Sequence, residues 1–285
     1  VSILVPARNE EKNIIRCIQS LLAQNYPSFE VLALDDQSSD STLSMLNRMS
    51  ESHLGLKVLA GSLPPDDRPG KNWACSQLAS HAQGDLLFFT DADTVHQPHT
   101  LRTLVTMLTG EQADLVTGFP QQQVLSWSEK LLVPFFTWAS ISFIPLWLAY
   151  RTRTQALVTA VGQVMLFRRE AYQKIGGHAD LGKSIVDDLA LARKVKAAGM
   201  RWRVVRVSDL VSCRMYHGGR GAIDGFTKNL FAAFDSRLLV YLFVFLWLAV
   251  LFLAPPAVLI SLAFGLAPAA QPGVLAACMG LSLLL

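Results

Sequence analysis

Beyond Arg237 the sequence contains no lysine, arginine, aspartate or glutamate, through to its last residue, Leu285. A stretch this long without charge excludes an ordinary solvated tail. Charge is scarce throughout: 16% of the 285 residues carry it, whereas 51% are hydrophobic, below the roughly 25% charged share of a soluble domain. The formal net charge of +3, with no interleaving of basic and aromatic residues, excludes a nucleic-acid binder. Cysteine is equally sparse. Cys17, Cys75, Cys213 and Cys278 lie far apart with no CxxC pair, which argues against a zinc site or disulfide framework and for free thiols in a reducing compartment. The chain opens in an apolar strand pattern without Met and stops within GLSLLL; the expectation is that both ends are cut.

What is present has a clear rhythm. Short apolar runs at 2–6, 29–34, 56–60, 85–90 and 113–118 have strand length. Between them, Ile14, Ile15, Ile18, Leu21 and Leu22 recur at helical spacing within 10–24, and 41–49, 71–82 and 100–108 look alike. This alternation predicts an α/β domain, a mostly parallel sheet flanked by helices. Ligands of such sheets bind beyond the carboxyl ends of the strands. Farther on, 157–167 and 201–207 read as strands. The stretches 169–175 and 186–198 read as helices closed by Gly176-Gly177 and by Gly199.

Two acidic clusters fall at predicted strand ends: Asp35-Asp36, within DDQSSD, and Asp91-Ala92-Asp93. Two readings of Asp91 and Asp93 stand: turn residues, or paired oxygen ligands for a hard cation such as Mg²⁺ or Mn²⁺ shared with substrate phosphates. In DDQSSD, Asp40 or Ser41 suits the cap of the next helix. Capping does not require two more acids at the strand tip, and Asp36 is placed to accept from a base N–H or a ribose hydroxyl. Lys71, in RPGKNWA, is either a solvated loop lysine or a phosphate contact. Asp187-Asp188 open an amphipathic run. One acid there complements the helix dipole; two adjacent carboxylates repel and raise the proton affinity of one, as a general base requires.

Taken together, Arg8-Asn9-Glu10 after the first strand, DDQSSD, GKNWA, Asp91-Ala92-Asp93 and Asp187-Asp188 make the chain resemble family 2 glycosyltransferases, from Val1 to about residue 235. The strength of the resemblance lies in the order and spacing of the motifs. It implies the GT-A fold, a nucleotide-sugar donor and an inverting transfer. It implies that Asp36, with Asp35 beside it, contacts the base. Asp91 would serve ribose and metal, and Asp93 the metal more directly. Asp188 would be the general base with Asp187 replacing the usual Glu, Lys71 would match the G-K motif, and Gly162-Gln163 would lie on a loop lining acceptor or sugar. The Q-x-x-R-W of many membrane-bound members is missing; RMYHGGRGAIDGFTKN stands there, so the resemblance is nearer to lipid-modifying carotenoid- and hopanoid-associated enzymes. Arg220 or His217 is a candidate for the diphosphate role, and His217 for a third metal ligand.

Two apolar regions suggest a membrane. Residues 131–149 hold 19 positions without charge, broken by Pro134 and Pro145 and flanked by Lys130, Arg151 and Arg153. An interfacial segment, a span and a buried core helix are the alternatives. The region 238–285 reads as transmembrane, multi-pass and truncated. Ten Lys or Arg against three acids between Arg193 and Arg237 place the catalytic body, 1–235, on the cytoplasmic side. The expected partners are a nucleotide-sugar donor, a lipid or lipid-linked acceptor and the bilayer. A polysaccharide synthase and a non-catalytic nucleotide-sugar-binding membrane protein are the competing readings.

Overall fold

The computed structural model describes residues 1–66, 68–142, 144–216, 218–233 and 237–264. Elements follow in the order β1 (Ser2–Ala7), α1 (Ile14–Leu22), β2 (Glu30–Asp35), α2 (Thr42–Ser52), β3 (Leu56–Ala60), α3 (Gly70–His81), β4 (Leu86–Phe89), β5 (Thr94–His96) and α4 (Thr100–Gly110). Next come β6 (Leu115–Thr117), β7 (Gln121–Gln122), α5 (Trp127–Ser142), α6 (Leu146–Arg151), β8 (Met165–Arg168) and α7 (Arg169–Lys174). The last are α8 (Asp187–Ala197), β9 (Trp202–Val204), β10 (Val211–Cys213), α9 (Gly218–Ala233) and α10 (Leu238–Ala263). Residues Val1–Gly225 form one compact unit and Phe226–Leu285 a second.

A seven-stranded sheet ordered β3-β2-β1-β4-β8-β6-β9 organises the first unit. β1 to β4 run parallel, and β8 runs antiparallel between β4 and β6. The cause is legible in β1. SILVPA is apolar almost throughout because helices cover both faces of the sheet. With a side-chain period of two, Ile3, Val5, Ala33 and Phe88 join the core under α1 and α4 with Ile14, Ile18, Leu104 and Leu108. Leu4, Leu32, Leu34, Leu87 and Phe89 join the opposite core with Leu78 of α3 and Leu191 and Val195 of α8. Each buried Val, Leu, Ile or Phe among them contributes about 1.5–3 kcal/mol relative to exposure. A three-stranded sheet, β5-β10-β7, stands apart from the first.

Several boundaries differ from expectation for physical reasons. The helix expected over 10–24 starts at Ile14: the chain first makes a turn over residues 11–13, where the Asn13 and Ile14 N–H groups share the Glu10 carbonyl, and the Glu10 and Glu11 N–H groups are donated to Thr42 Oγ1 and Asp40 Oδ2. Asp40 also accepts from the Thr42 backbone at 3.0 Å and so serves the start of α2, whereas Ser41 makes no side-chain cap bond. The strand expected over 157–167 forms only at Met165–Arg168. Before it, Val161 exchanges bonds with the Thr117 hydroxyl, and the chain turns at Gly162-Gln163. The strands expected over 113–118 and 201–207 shorten to Leu115–Thr117 and Trp202–Val204.

Residues 131–149 are no single span. They fall on α5, with Pro134 inside it, and on α6, which starts after Pro145; neither reaches the roughly 20 residues that a crossing needs. Ala149 is buried, whereas Leu131 and Trp147 are exposed. α10 alone among the described residues has the length and apolarity to cross a membrane, over Tyr241–Val258. The rest of the region read as transmembrane, residues 265–285, lies outside the described residues.

Glu129 ties the start of α5 to Arg214 and to the first residue of α9. Its carboxylate, buried at 1% exposure, accepts the N–H groups of Leu125 (2.7 Å) and Gly218 (2.6 Å) and lies 3.3 Å from Arg214. The Leu125 and Gly218 bonds chiefly hold its carboxyl down, to about 2. A carboxylate held low in the fold favours the folded state above its unfolded value, and that contribution disappears as pH falls through the folded one. Glu129→Gln therefore lowers the unfolding temperature by several degrees at pH 7, with a gap that narrows in acid, as a thermal melt at both pH values checks.

Candidate active site

The parallel strands deliver three loops to one edge of the sheet. After β1 and β2 the chain is laced together. Asn9 and Gln37 adopt left-handed backbone, with φ of 57° and 58°. Asn9 Oδ1 accepts the Ser39 N–H at 2.8 Å, and the Asn9 N–H is donated to Ser38 Oγ. This places Asp35 and Asp36, both buried, at the tip of β2. Asp35 Oδ2 accepts the Ser38 N–H at 3.2 Å, and Arg8 Nη1 lies 3.7 Å from Asp36 Oδ2. Burial pushes the Asp36 carboxyl up, and Arg8 only partly offsets it.

After β4, the Thr94 hydroxyl donates to the Asp91 carbonyl at 2.7 Å and closes the turn that carries the acid pair. Ala92 packs into the core, leaving Asp91 and Asp93 on the outer side of the turn. Beneath them, Thr90, Thr94 and His96 form a buried hydrogen-bonded cluster, with Thr94 Oγ1 2.8 Å from His96 Nε2. Burial pushes the imidazole down to about 3, so it is neutral. Asp93 is pushed up to about 7, by burial first and then by Asp91 and Glu10. A cavity of about 390 Å³ opens over Asp93, lined also by Asn9, Glu10, Asn13 and Arg214.

α3 joins these loops to a fourth. A Cβ on Gly70 would stand 2.9 Å from Asp36 Oδ2, so a larger residue there would displace the Asp36 carboxylate. Lys71 Nζ pairs with Asp91 Oδ1 at 2.7 Å. Burial opposes its charge, yet Asp91 and Asp187 prevail and hold its proton affinity well above the ordinary value. The same Nζ is 3.5 Å from where a Cβ of Gly162 would stand. The Gly162 N–H is donated to Asp188 Oδ2 at 2.9 Å, and the Leu189 N–H to Asp188 Oδ1 at 2.7 Å. Buried Asn72 donates to the Ser184 carbonyl, fixing α3 against the approach to α8.

Asp187 and Asp188 share the start of α8 but differ in environment. Asp188 is pushed up to about 7 by burial and by the charge of Asp187. Asp187, despite burial, is held below the usual carboxylate range by Lys71 and by His178, whose Nε2 lies 3.6 Å away. The Tyr172 hydroxyl accepts the His178 backbone N–H at 3.0 Å and bonds Nδ1 at 2.8 Å. In the tautomer where Tyr172 donates its one proton to Nδ1, the His178 Nε2–H faces Asp187.

The structure thus brings together Asp35, Asp36, Lys71, Asp91, Asp93, Gly162, Asp187 and Asp188. Gln163 is buried in the same loop, where its carbonyl accepts from Thr90 Oγ1 at 2.8 Å. Arg220 is exposed on the first turn of α9, and no contact among the described residues joins it to the acids. His217 lies outside the described residues. Among the described residues no group of three His, Cys, Asp or Glu side chains is arranged to enclose a metal, and the Asp91 carboxylate is paired with Lys71. Sequence reasoning assigned no role to His178 or Tyr172. The only signal, a His just past Gly176-Gly177, carries no periodicity that would link it to Asp187.

Four acceptor atoms at this edge, Asp35 Oδ1, Asp36 Oδ1, Asp93 Oδ1 and Gln163 Oε1, are buried without a donor from the described protein groups. An unsatisfied buried polar atom costs about 1–3 kcal/mol. A site tolerates that cost where a ligand supplies the donors or the cation.

Residues 2–176 match the model of the family described as Glycosyl transferase family 2. A 4,4'-diaponeurosporenoate glycosyltransferase of Staphylococcus haemolyticus (strain JCSC1435) is 26% identical over 254 residues, covering 87% of this chain and 66% of that protein. The chain spans between about half and two thirds of the length of the curated relatives it matches. Among solved structures, the mannosyltransferase PcManGT from Pyrobaculum calidifontis, in complex with GDP-Man and Mn²⁺, superposes with a TM-score of 0.62. It is 22% identical, over 99% of this chain and 79% of that one. Glucosyl-3-phosphoglycerate synthase from Mycobacterium tuberculosis, with Mn²⁺, uridine diphosphate and glucosyl-3-phosphoglycerate, gives 0.54 at 20% identity, over 83% and 78% of the two chains. These likenesses show a shared α/β fold with a mostly parallel sheet.

Proposed function

The chain belongs to glycosyl transferase family 2, and from that premise we propose that it moves a hexose from a nucleotide diphosphate sugar, in the first instance a uridine diphosphate sugar, to a hydroxyl of a lipid-like acceptor. The transfer takes place at the cytoplasmic face of a membrane and inverts the anomeric configuration. One observation carries this reading. The first two residues of α3 touch every acidic loop, Gly70 against Asp36 and Lys71 between Asp91 and the Gly162–Asp188 pair. In this reading the donor-side acids and the base-side acid serve one bound donor.

In this reading Asp36 and Asp35 accept hydrogen bonds from the base and ribose through oxygens that have no protein donor. Lys71 and the uncapped N–H groups at the start of α3 present positive potential to the diphosphate. Asp91 and Asp93 fit a hard divalent cation, Mg²⁺ or Mn²⁺: Asp93 Oδ1 is a buried acceptor without a donor, and neighbouring acids raise its proton affinity. Such an ion, when bound, supplies charge that offsets the departing diphosphate.

Asp188 removes the proton of the acceptor hydroxyl as its oxygen bonds to the anomeric carbon. The bond from that carbon to the diphosphate oxygen breaks on the opposite side, and its electron pair leaves with the diphosphate. Asp187 keeps Asp188 basic, while the Gly162 and Leu189 N–H groups fix the orientation of its carboxylate. Residues 1–235 form the catalytic unit, with 131–149 against the membrane interface, and 238–285 anchor it. The lipid-like acceptor draws support from the apolar α10 and from the named activity of the Staphylococcus haemolyticus relative.

Two measurements test this. In a thermal-shift screen of nucleotide sugars, one uridine diphosphate sugar raises the unfolding temperature with Mn²⁺ and much less without it; no shift with any donor contradicts the reading. Because Asp188 acts deprotonated and titrates near pH 7, transfer at saturating substrates falls about tenfold per pH unit below that value and levels off above it. A flat rate from pH 5.5 to 7.5 would remove Asp188 from the base role.

A further inference from the structure

A second cavity, of about 250 Å³, lies between the end of α6, the end of α8 and β9. Its wall holds five cationic side chains, Arg151, Arg153, Lys196, Arg201 and Arg203. Only Arg203 among them pairs with a carboxylate of the described residues, Glu111 at 3.1 Å; Arg201 bonds the neutral Gln112. Lys196 is the most unusual of the five. It is 6% exposed, and among the described residues its ammonium donates to a single acceptor, the Ala149 carbonyl at 2.7 Å, with the Trp202 ring 5.7 Å away. A buried ammonium without a counter-charge is costly, and burial lowers its proton affinity. Trp202, 3% exposed and on the same wall, has an indole Nε1–H that is buried without an acceptor among the described residues.

Unpaired positive charge, unused ammonium hydrogens and an unsatisfied indole donor call for one kind of ligand, a compact anion rich in acceptor oxygens. We propose that this cavity binds the phosphate of an anionic phospholipid headgroup. Phosphate oxygens would accept from Lys196 and the Trp202 indole, while Arg151 and Arg153, exposed at the rim, would complete the charge. A lipid is favoured over a soluble anion by the element that leads into the cavity. α6 carries Trp147, 65% exposed, four residues before Arg151, and Trp127 and Leu131 of α5 are exposed too. Exposed tryptophan beside arginine is the composition of a membrane interface. That choice of source rests on the membrane reading above; the anion site itself does not.

The test uses the full chain in neutral detergent, titrated with short-chain phosphatidylglycerol, short-chain phosphatidylcholine or inorganic phosphate while unfolding is followed. Phosphatidylglycerol raises the unfolding temperature of the wild type, and phosphatidylcholine does not. In an Arg151→Gln, Arg153→Gln double variant, which changes exposed side chains only, the half-saturating phosphatidylglycerol concentration rises about tenfold or more. Trp202→Phe, which keeps a ring and removes the donor, weakens it as well. An undiminished response in the double variant overturns the site. Equal stabilisation by inorganic phosphate at the same concentration overturns the lipid as its source. Equal stabilisation by phosphatidylcholine overturns recognition of charge. Donor binding, measured in the same samples with Mn²⁺, is unchanged by the double variant, so failure here is distinguishable from failure of the transferase reading.

Discussion

Asp188→Asn lowers kcat for transfer by about 10²- to 10⁴-fold and leaves the dissociation constant for the nucleotide sugar within about threefold of the wild type. The amide is nearly isosteric and still offers an oxygen to the Gly162 or Leu189 N–H, which bond the carboxylate at 2.9 and 2.7 Å. What it cannot do is take a proton. Because Asp188 contacts neither Asp36 nor Arg8 in the described structure, the nucleotide half of the cleft keeps its shape. The acid limb of the rate profile should vanish together with the rate, since burial and Asp187 are what set that titration. Single-turnover transfer and equilibrium donor binding, measured on the same preparation, separate the two effects. Transfer at half the wild-type rate or better would mean that some other group accepts the proton.

Asp93→Asn produces the opposite split. Donor binding in the presence of Mn²⁺ weakens by about two orders of magnitude, consistent with loss of a ligand carboxylate, while binding without the ion changes little. The variant fold remains intact, because Asp93 Oδ1 makes no protein hydrogen bond and Ala92 and Thr94, which hold the turn, are untouched. Titration calorimetry with and without Mn²⁺ reads the difference directly. If Asp93→Asn binds donor with the same dependence on the ion as the wild type, the pair after β4 is a turn and nothing more.

The parallel half of the fold was readable because its signals are local. β1 and β2 are continuous apolar runs, and α1 repeats Ile14, Ile18 and Leu21 on one face. The strand-end acids could be placed for the same reason: a strand tip followed by a helix is a sequence event. The region between 118 and 164 was less readable. Leu157 to Val164 is as apolar as a strand, yet the chain turns at Gly162 to meet Asp188, a partner 26 residues away. The link from Tyr172 through His178 to Asp187 was invisible for a similar reason. Its members obey no period, and only the fold brings them into contact. Arg220 and His217, singled out for the diphosphate, shared a glycine-rich stretch with no pattern to decide their direction.

The strand reversal between β4 and β6 has one more consequence. Thr117 and Met165 are direct partners across the β6–β8 ladder, so everything from residue 118 to 164 leaves and re-enters the sheet at the same spot. Insertions or exchanges there would leave the registers of β1, β2 and β4 undisturbed. Descendants of one ancestor could thus diversify what they glycosylate while inheriting the nucleotide-holding half unaltered.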